Sequence, residues 1–353
     1  MSKAVANDAH RPIISVVIPM RNERESIAAN LRALAANDLA KDEFEVIVVD
    51  GMSEDGSADT AMKVLGEMGN GRVLQNPKGI TPVALNIGVE NAWGDIIIIL
   101  GAHSEVFPDF LSKNLEALES TGADCVGGTL IHASSENLLG NVINIAQNSP
   151  FGSGGAGFRY SDRPAYVNTV PFGAYRKDVF EKIGGFDEVL YKGQDAEFNF
   201  RMIDSGMKIY YSPEIRTRYF SRSTLRRLFK QFLAMGWSKV FIFYLHPRLL
   251  KAYYYLPLLF TLGILAVIGR AAFASKLELL AYLTAGLLYI GMCIGSGLFF
   301  ARKKGIELQS GLKAAALFPI CFFLMHFGYG LGIIKGLFEL VFCGRRPERR
   351  PSE

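Results

Sequence analysis

Ile14-Ser15-Val16-Val17-Ile18-Pro19-Met20-Arg21-Asn22-Glu23 and Val46-Ile47-Val48-Val49-Asp50-Gly51-Met52-Ser53-Glu54-Asp55-Gly56-Ser57 decide how this chain folds. Each begins as a short, mostly β-branched apolar run and stops abruptly in polar, turn-forming residues. Such runs suit strands buried on both faces of a parallel sheet. In an open α/β sheet, ligands bind beyond the carboxyl ends of the strands, so both polar turns fall on that rim.

The same rhythm extends outward. Residues 12–20 and 44–50 read as strands, 24–36 and 57–68 as helices, and Val73–Gln75 as a short third strand. Thr81–Trp93 reads as a helix with Pro82 in its first turn, where a missing N–H is harmless, and the aliphatic Asp95–Leu100 as a fourth strand. This βαβα order predicts a parallel sheet with right-handed crossovers. After residue 120 the rhythm changes. Ser149–Arg159 is too glycine-rich for regular structure and long enough to be a functional loop. A helix is expected over 195–205, followed by a short strand at Lys208–Tyr211.

The 353 residues suffice for one large domain and an extra module. A net charge of +4 is too weak to argue for nucleic acid. The basic residues cluster beside apolar stretches, as in Arg222–Lys230, Arg302–Lys304 and Arg345–Arg350, which suits anionic lipid headgroups. The four cysteines form no metal or redox spacing. Met1–Arg11 lacks an apolar signal-type segment, so the first domain is expected in the cytosol of a plasma-membrane protein. Residues 1–222 read as that domain and 223–247 as an amphipathic interfacial helix. Residues 248–344 read as membrane helices and 345–353 as a basic tail.

Leu249–Ile268 and Leu277–Phe300 are each long enough to span about 30 Å of hydrocarbon. A third segment, Ala314–Ile334, is interrupted by Pro319, His326 and glycines. Two crossings put Arg302–Lys304 inside, as basic loops prefer, whereas a third puts Arg345–Arg350 outside. The sequence therefore favours an incomplete last crossing, bent at Gly328, Gly330, Gly332 and Gly336.

The two opening motifs, with Gly184-Gly185-Phe186-Asp187 and Gln194-Asp195, resemble the family-2 glycosyltransferases of GT-A fold, from about residue 12 to 235. Members move a sugar from a nucleotide sugar, usually UDP-linked, to an acceptor. The resemblance implies an α/β, Rossmann-like domain followed by α-helical membrane segments. It puts Pro19, Arg21, Asn22, Glu23, Asp50, Ser53 and Lys78 at the donor and Asp195 as catalytic base. The family's Asp-x-Asp metal motif reads Gly101-Ala102-His103 here, which leaves His103 as the candidate ligand for Mg²⁺ or Mn²⁺. Imidazole slightly favours Mn²⁺. Glu105 is a possible supplement, and Gln194 replaces the usual Glu.

Asn76–Gly79 with Ala84–Gly88 resembles a family segment beside the donor, where Asn86 is alternatively an internal hydrogen-bonding residue. Ser149–Arg159 and Thr169–Arg176 resemble the succinoglycan-type, exopolysaccharide-building branch, whose acceptor is a saccharide on a polyprenyl diphosphate. Arg159 and Arg176 are candidates for acceptor phosphates or for ordinary pairing. Gln231 and Trp237 match the acceptor motif of processive synthases only faintly.

The expected function is inverting transfer of a hexose, UDP-glucose being the favoured donor, to a lipid-linked saccharide. Membrane lipids would be partners, nucleic acid would not, and the oligomeric state stays open. The alternatives are a polyprenyl-phosphate sugar transferase and a non-catalytic sugar-nucleotide-binding scaffold.

Overall fold

The computed structural model describes residues 11–132, 137–153, 161–190, 192–219, 224–249, 252–306 and 311–344. Gly154–Arg159, Arg222 and Arg345–Arg350 lie outside the described residues. The chain divides into two compact units, residues 1–133 with 161–220 and residues 134–160 with 221–353. Residues 134–160, which the sequence keeps with the first domain, thus group with the apolar helices.

In the first unit β1 (Ile14–Met20), α1 (Ile27–Ala35), β2 (Phe44–Asp50), α2 (Ser57–Met68), β3 (Gly71–Gln75), α3 (Thr81–Glu90) and β4 (Ile96–Ile99) follow the expected alternation. Next come β5 (Ser104–Val106), α4 (Phe110–Thr121) and β6 (Cys125–His132). After α5 (Leu138–Asn148) and α6 (Pro150–Ser153) of the second unit, the chain returns with β7 (Ala165–Val167), β8 (Ala174–Arg176), α7 (Lys177–Ile183), α8 (Gln194–Asp204) and β9 (Ile209–Tyr219).

Among the described residues the sheet has nine strands in the order β3-β2-β1-β4-β8-β6-β9-β5, with β7 also on β9. The four strands from β3 to β4 are parallel. Beyond them the sheet turns mixed, because β8 runs antiparallel to both β4 and β6. Val16, Val17, Ile18 and Val46–Val49 are fully buried, each side chain contributing about 1.5–3 kcal/mol by leaving water. The buried Glu45 is satisfied by Ser15 Oγ (2.6 Å), Trp93 N (2.7 Å) and Arg72. Register sets Met20 opposite Asp50, so the two polar turns emerge side by side.

The second unit contains α5, α6, α9 (Leu225–Leu245), α10 (Leu256–Ala271), α11 (Lys276–Lys303) and α12 (Gly311–Phe342). Among the described residues three helices, Tyr253–Ala271, Lys276–Lys303 and Gly311–Phe342, are long and apolar enough to cross a membrane. The bend expected in the last segment does not occur. α12 runs unbroken for 32 residues through Pro319, about 48 Å at 1.5 Å per residue. Its glycines serve close helix packing instead. A Cβ at Gly332 would meet Leu233 O at 2.1 Å, one at Gly330 Thr261 Oγ1 at 2.1 Å, and one at Gly336 Val240 Cγ2 at 2.9 Å. Trp237 Nε1 donates to Glu339 (2.9 Å) and Gln147 to Gln231 (3.0 Å), so both candidate acceptor-motif residues are engaged within this unit.

Candidate active site

The two turns are laced together by short polar side chains. Asp50, only 5% exposed at the end of β2, accepts from Ser53 Oγ (2.6 Å) and Ser53 N (3.1 Å). This closes an Asx-type turn. Ser53 Oγ in turn accepts from Asn22 N (2.8 Å), and Asn22 Oδ1 accepts from Glu54 N (3.0 Å). Asn22 has φ +55°, a left-handed conformation that asparagine tolerates better than most residues. Ser57 Oγ accepts from Glu23 N (2.7 Å). Asp55 accepts from Ser57 Oγ and from the N–H groups of Ser57 (3.0 Å) and Arg24 (3.2 Å). The Ser57 hydroxyl is the main reason its carboxyl lies below the ordinary value. Arg21 reaches the carbonyl of Gly79 (3.0 Å), tying the rim to the loop before α3. Pro19 lies at the strand end, half-buried.

Glu23 also faces the β4 exit. Its Oε1 is 2.9 Å from His103 Nδ1, while Oε2 accepts from Ser26 Oγ (2.9 Å). Because a carboxylate only accepts, His103 Nδ1 carries the proton of this contact. The segment bearing His103 is fixed from below. Buried Asn30 donates to the carbonyls of Gly101 (3.0 Å) and Ser104 (2.6 Å).

Gly101 stands where the first acid of Asp-x-Asp is expected. A Cβ there would come within 2.9 Å of Phe172 Cε1, so an aromatic ring occupies the space an aspartate would need. Phe172 itself has φ +47°, a strained value for a bulky residue. Glu105 pairs with Arg218 of β9 (3.5 Å). Among the described residues no group of three or more His, Cys, Asp or Glu side chains is arranged to hold a metal.

Lys78 pairs with Glu188 (2.8 Å), which also accepts from Asn86 Nδ2 (3.3 Å). Asn86 reads the backbone of the Gly-Gly-Phe-Asp turn, with Oδ1 accepting from Phe186 N (2.7 Å) and Nδ2 donating to Phe186 O (2.9 Å). Its internal bonding role is therefore realised. That turn is held to α8 by Arg201, which donates to Gly185 O (2.7 Å) and pairs with buried Glu197 (2.7 Å).

Asp195 is exposed in the first turn of α8, after the left-handed Gly193. It stands outside the hydrogen-bonded set formed by Asn22, Glu23, Asp50, Ser53 and His103. Beneath it Tyr175 donates to Asn199 (3.2 Å), and burial pushes the Tyr175 phenol well above its ordinary value. Gln194 Oε1 is buried without a partner among the described residues. Arg176 donates to the carbonyls of Leu118 (2.8 Å) and Ala123 (3.2 Å), at the end of α4. Sequence reading missed Phe172, Asn30 and Glu188. Each acts through a partner far along the chain, and only the Pro171-Phe172-Gly173 turn hinted at an unusual backbone.

Residues 15–184 match the family described as Glycosyl transferase family 2. A dolichyl N-acetyl-α-D-glucosaminyl phosphate 3-β-D-2,3-diacetamido-2,3-dideoxy-β-D-glucuronosyltransferase of Methanococcus voltae is 31% identical over 335 residues, 92% of this chain and 98% of that protein. The succinoglycan biosynthesis protein ExoA of Rhizobium meliloti is 26% identical, covering 92% of this chain and 94% of its own length. A Pyrobaculum calidifontis mannosyltransferase, solved with GDP-Man and Mn²⁺, superimposes with a TM-score of 0.60 at 19% identity over 87% of each chain. It supports the GT-A fold. Sheet, motifs and relatives agree, and the chain belongs to glycosyltransferase family 2.

Proposed function

We propose that this chain is an inverting hexosyltransferase that takes its sugar from a UDP-linked donor, UDP-glucose first among candidates. The acceptor is a saccharide carried on a polyprenyl diphosphate and used for exopolysaccharide. The observation that carries this reading is the long match to the Methanococcus relative. It spans both the sheet and the apolar helices, and that relative's name gives a dolichyl-phosphate-linked sugar as acceptor. The similarity to a succinoglycan biosynthesis protein supports the exopolysaccharide part of the reading. Three helices fit to cross a membrane suit an acceptor confined to one, with the transferase unit on the cytosolic side.

In this reading Pro19, Arg21, Asn22, Glu23, Asp50 and Ser53 receive the nucleotide. Asp50 already orients the Ser53 turn, leaving a rigid polar edge for ribose or base. Lys78 lies beside the diphosphate and is held in place by Glu188. Asp195 takes the proton of the acceptor hydroxyl. The freed oxygen attacks the anomeric carbon, and the bond from that carbon to the diphosphate breaks as the nucleoside diphosphate leaves with the electron pair. One displacement without an enzyme nucleophile turns an α-linked donor into a β-glycoside.

Among the described residues the β4 exit offers an imidazole–carboxylate pair, His103 with Glu23, and no complete metal cage. Such a pair fits a divalent ion completed by substrate phosphates, since these ions commonly take only one or two protein ligands at nucleotide sites. Bound there, Mg²⁺ or Mn²⁺ would offset the charge developing on the departing diphosphate. Glu23 fixes the orientation of the His103 ring through Nδ1.

The test is turnover in nanodiscs with a panel of labelled nucleotide sugars and a polyprenyl-diphosphate-linked saccharide, in Mg²⁺ or Mn²⁺. We expect labelled lipid-linked product, with His103→Ala requiring more metal for half-maximal rate. Transfer to bare polyprenyl phosphate alone would favour the phosphate-acceptor reading. UDP binding without turnover across the panel would overturn the proposal.

A further inference from the structure

The second unit contains a cavity of about 430 Å³ lined by Pro150, Phe151, Ser296, Phe299, Phe300 and Lys303. Its size falls in the range of about 300–1,000 Å³ typical of small-molecule sites. The four α11 residues recur at i, i+3, i+4 and i+7, so they form one stripe of the helix. The wall is apolar and aromatic. Its last residue, Lys303, is an exposed cation at the end of a 28-residue helix fit to cross a membrane. Arg302 accompanies it in that last turn. Phe299 is 71% exposed, so the cavity opens towards the helix surroundings rather than into a sealed core.

The opposite wall is held by an unusual polar device. His326 lies midway along apolar α12, where an ionisable side chain is expensive and calls for a functional reason. Its Nε2 is 3.0 Å from Phe151 O, and its Nδ1 is 3.0 Å from Tyr289 Oη. A carbonyl only accepts, so Nε2 carries the proton and Nδ1 accepts from the tyrosine hydroxyl. The Phe151 ring meets the rings of Phe322 and His326 edge-on, with centroids 5.0 Å away in each case. The short α6 turn is thereby pinned at both backbone and ring, opposite a stripe that ends in a cation.

We propose that this cavity holds the phosphate-proximal isoprenoid units of the lipid-linked acceptor, with the Lys303 ammonium at the lipid phosphate and His326 positioning the Phe151 wall. The inference rests on the polyprenyl-linked acceptor proposed above. Hydrocarbon walls suit the branched chain, and the terminal cation suits the anion at its head. Ordinary phospholipid needs no walled cavity, only an apolar helix surface.

The experiment uses the full chain in nanodiscs with a diazirine-tagged polyprenyl phosphate. Crosslinks are mapped by peptide mass spectrometry, with excess anionic phospholipid as competitor. We expect adducts on Pro150–Phe151 or on 296–303, resistant to phospholipid, and reduced about tenfold in Ser296→Trp and in Lys303→Glu. In turnover, both variants should raise KM for the lipid acceptor by about tenfold, with donor KM nearly unchanged. His326→Leu should behave likewise, whereas His326→Gln, which can still donate to Phe151 O, should recover acceptor KM. Adducts elsewhere, or adducts removed equally by phospholipid, would overturn the cavity assignment even if lipid-linked product forms. Adducts in the cavity without lipid-linked product would keep the cavity and overturn the acceptor reading instead.

Discussion

The two exits from the parallel half of the sheet make an instructive pair. At the ends of β1 and β2, the expected residues interlock in a continuous chain from Asp50 through Ser53 to Asn22. At the exit of β4, the expected first carboxylate is a glycine, and the ring of Phe172 fills its space. Glu23 connects the two regions by reaching His103. The exit of β1 and β2 is thus built by local turn chemistry, whereas that of β4 is filled by a residue from a distant loop.

The largest expected effect tests the proposed base, which lies at neither exit. Asp195→Asn should lower kcat by about 10²–10⁴-fold, as for loss of a general base, with UDP affinity unchanged by calorimetry. Because Asp195 is exposed, the melting temperature should hardly move. A comparable loss of UDP affinity would place Asp195 in donor binding instead.

Next, Asp50→Ala breaks the turn of the intact rim. The lost hydrogen bonds to a charged group should destabilise the turn by about 1.5–3 kcal/mol, and UDP, on the proposed reading, should bind about tenfold more weakly to the loosened rim. Unchanged UDP affinity would show that the nucleotide lies elsewhere.

Restoring the missing acid sharpens the contrast. Gly101→Asp alone should destabilise by about 1–3 kcal/mol through overpacking against Phe172. Adding Phe172→Ala should recover part of that loss and tighten Mn²⁺ binding in the presence of UDP. A cycle with no coupling between the two changes would remove Phe172 from the explanation.

The smallest effect concerns Asp55. Its carboxyl sits below its ordinary value, so the stabilisation it brings is present above about pH 4 and fades as pH falls through the lowered value. Asp55→Asn should flatten that acid limb slightly in melting curves taken between neutral and strongly acidic pH. An unchanged limb would assign the acid sensitivity to other groups.

Much of this architecture was legible in the sequence. The β1 and β2 runs, their turns, the apolar β4 strand and the α8 start depend on local pattern, and the structure reproduces them within a few residues. The mixed half of the sheet was mostly hidden, because β5, β7 and β8 are three-residue strands held by distant partners. α12 misled for a physical reason. Proline and glycine signal breaks in an isolated helix, yet here the glycines let neighbouring backbones approach and the helix continues unbroken. At the candidate site, the motif alone draws attention to Asp50, Asn22 and Glu23, and the structure joins them to neighbouring turns. The Lys78–Glu188 pair joins residues 110 positions apart, a separation that local pattern does not reveal.

The most direct test of the whole account is the anomeric configuration of the lipid-linked product made by the native chain from an α-linked UDP-hexose, read by NMR. A β-glycoside is the predicted result, as a single displacement assisted by Asp195 requires. An α-glycoside would contradict the account, since retention needs either a second displacement at a group on the enzyme or attack from the face of the leaving diphosphate.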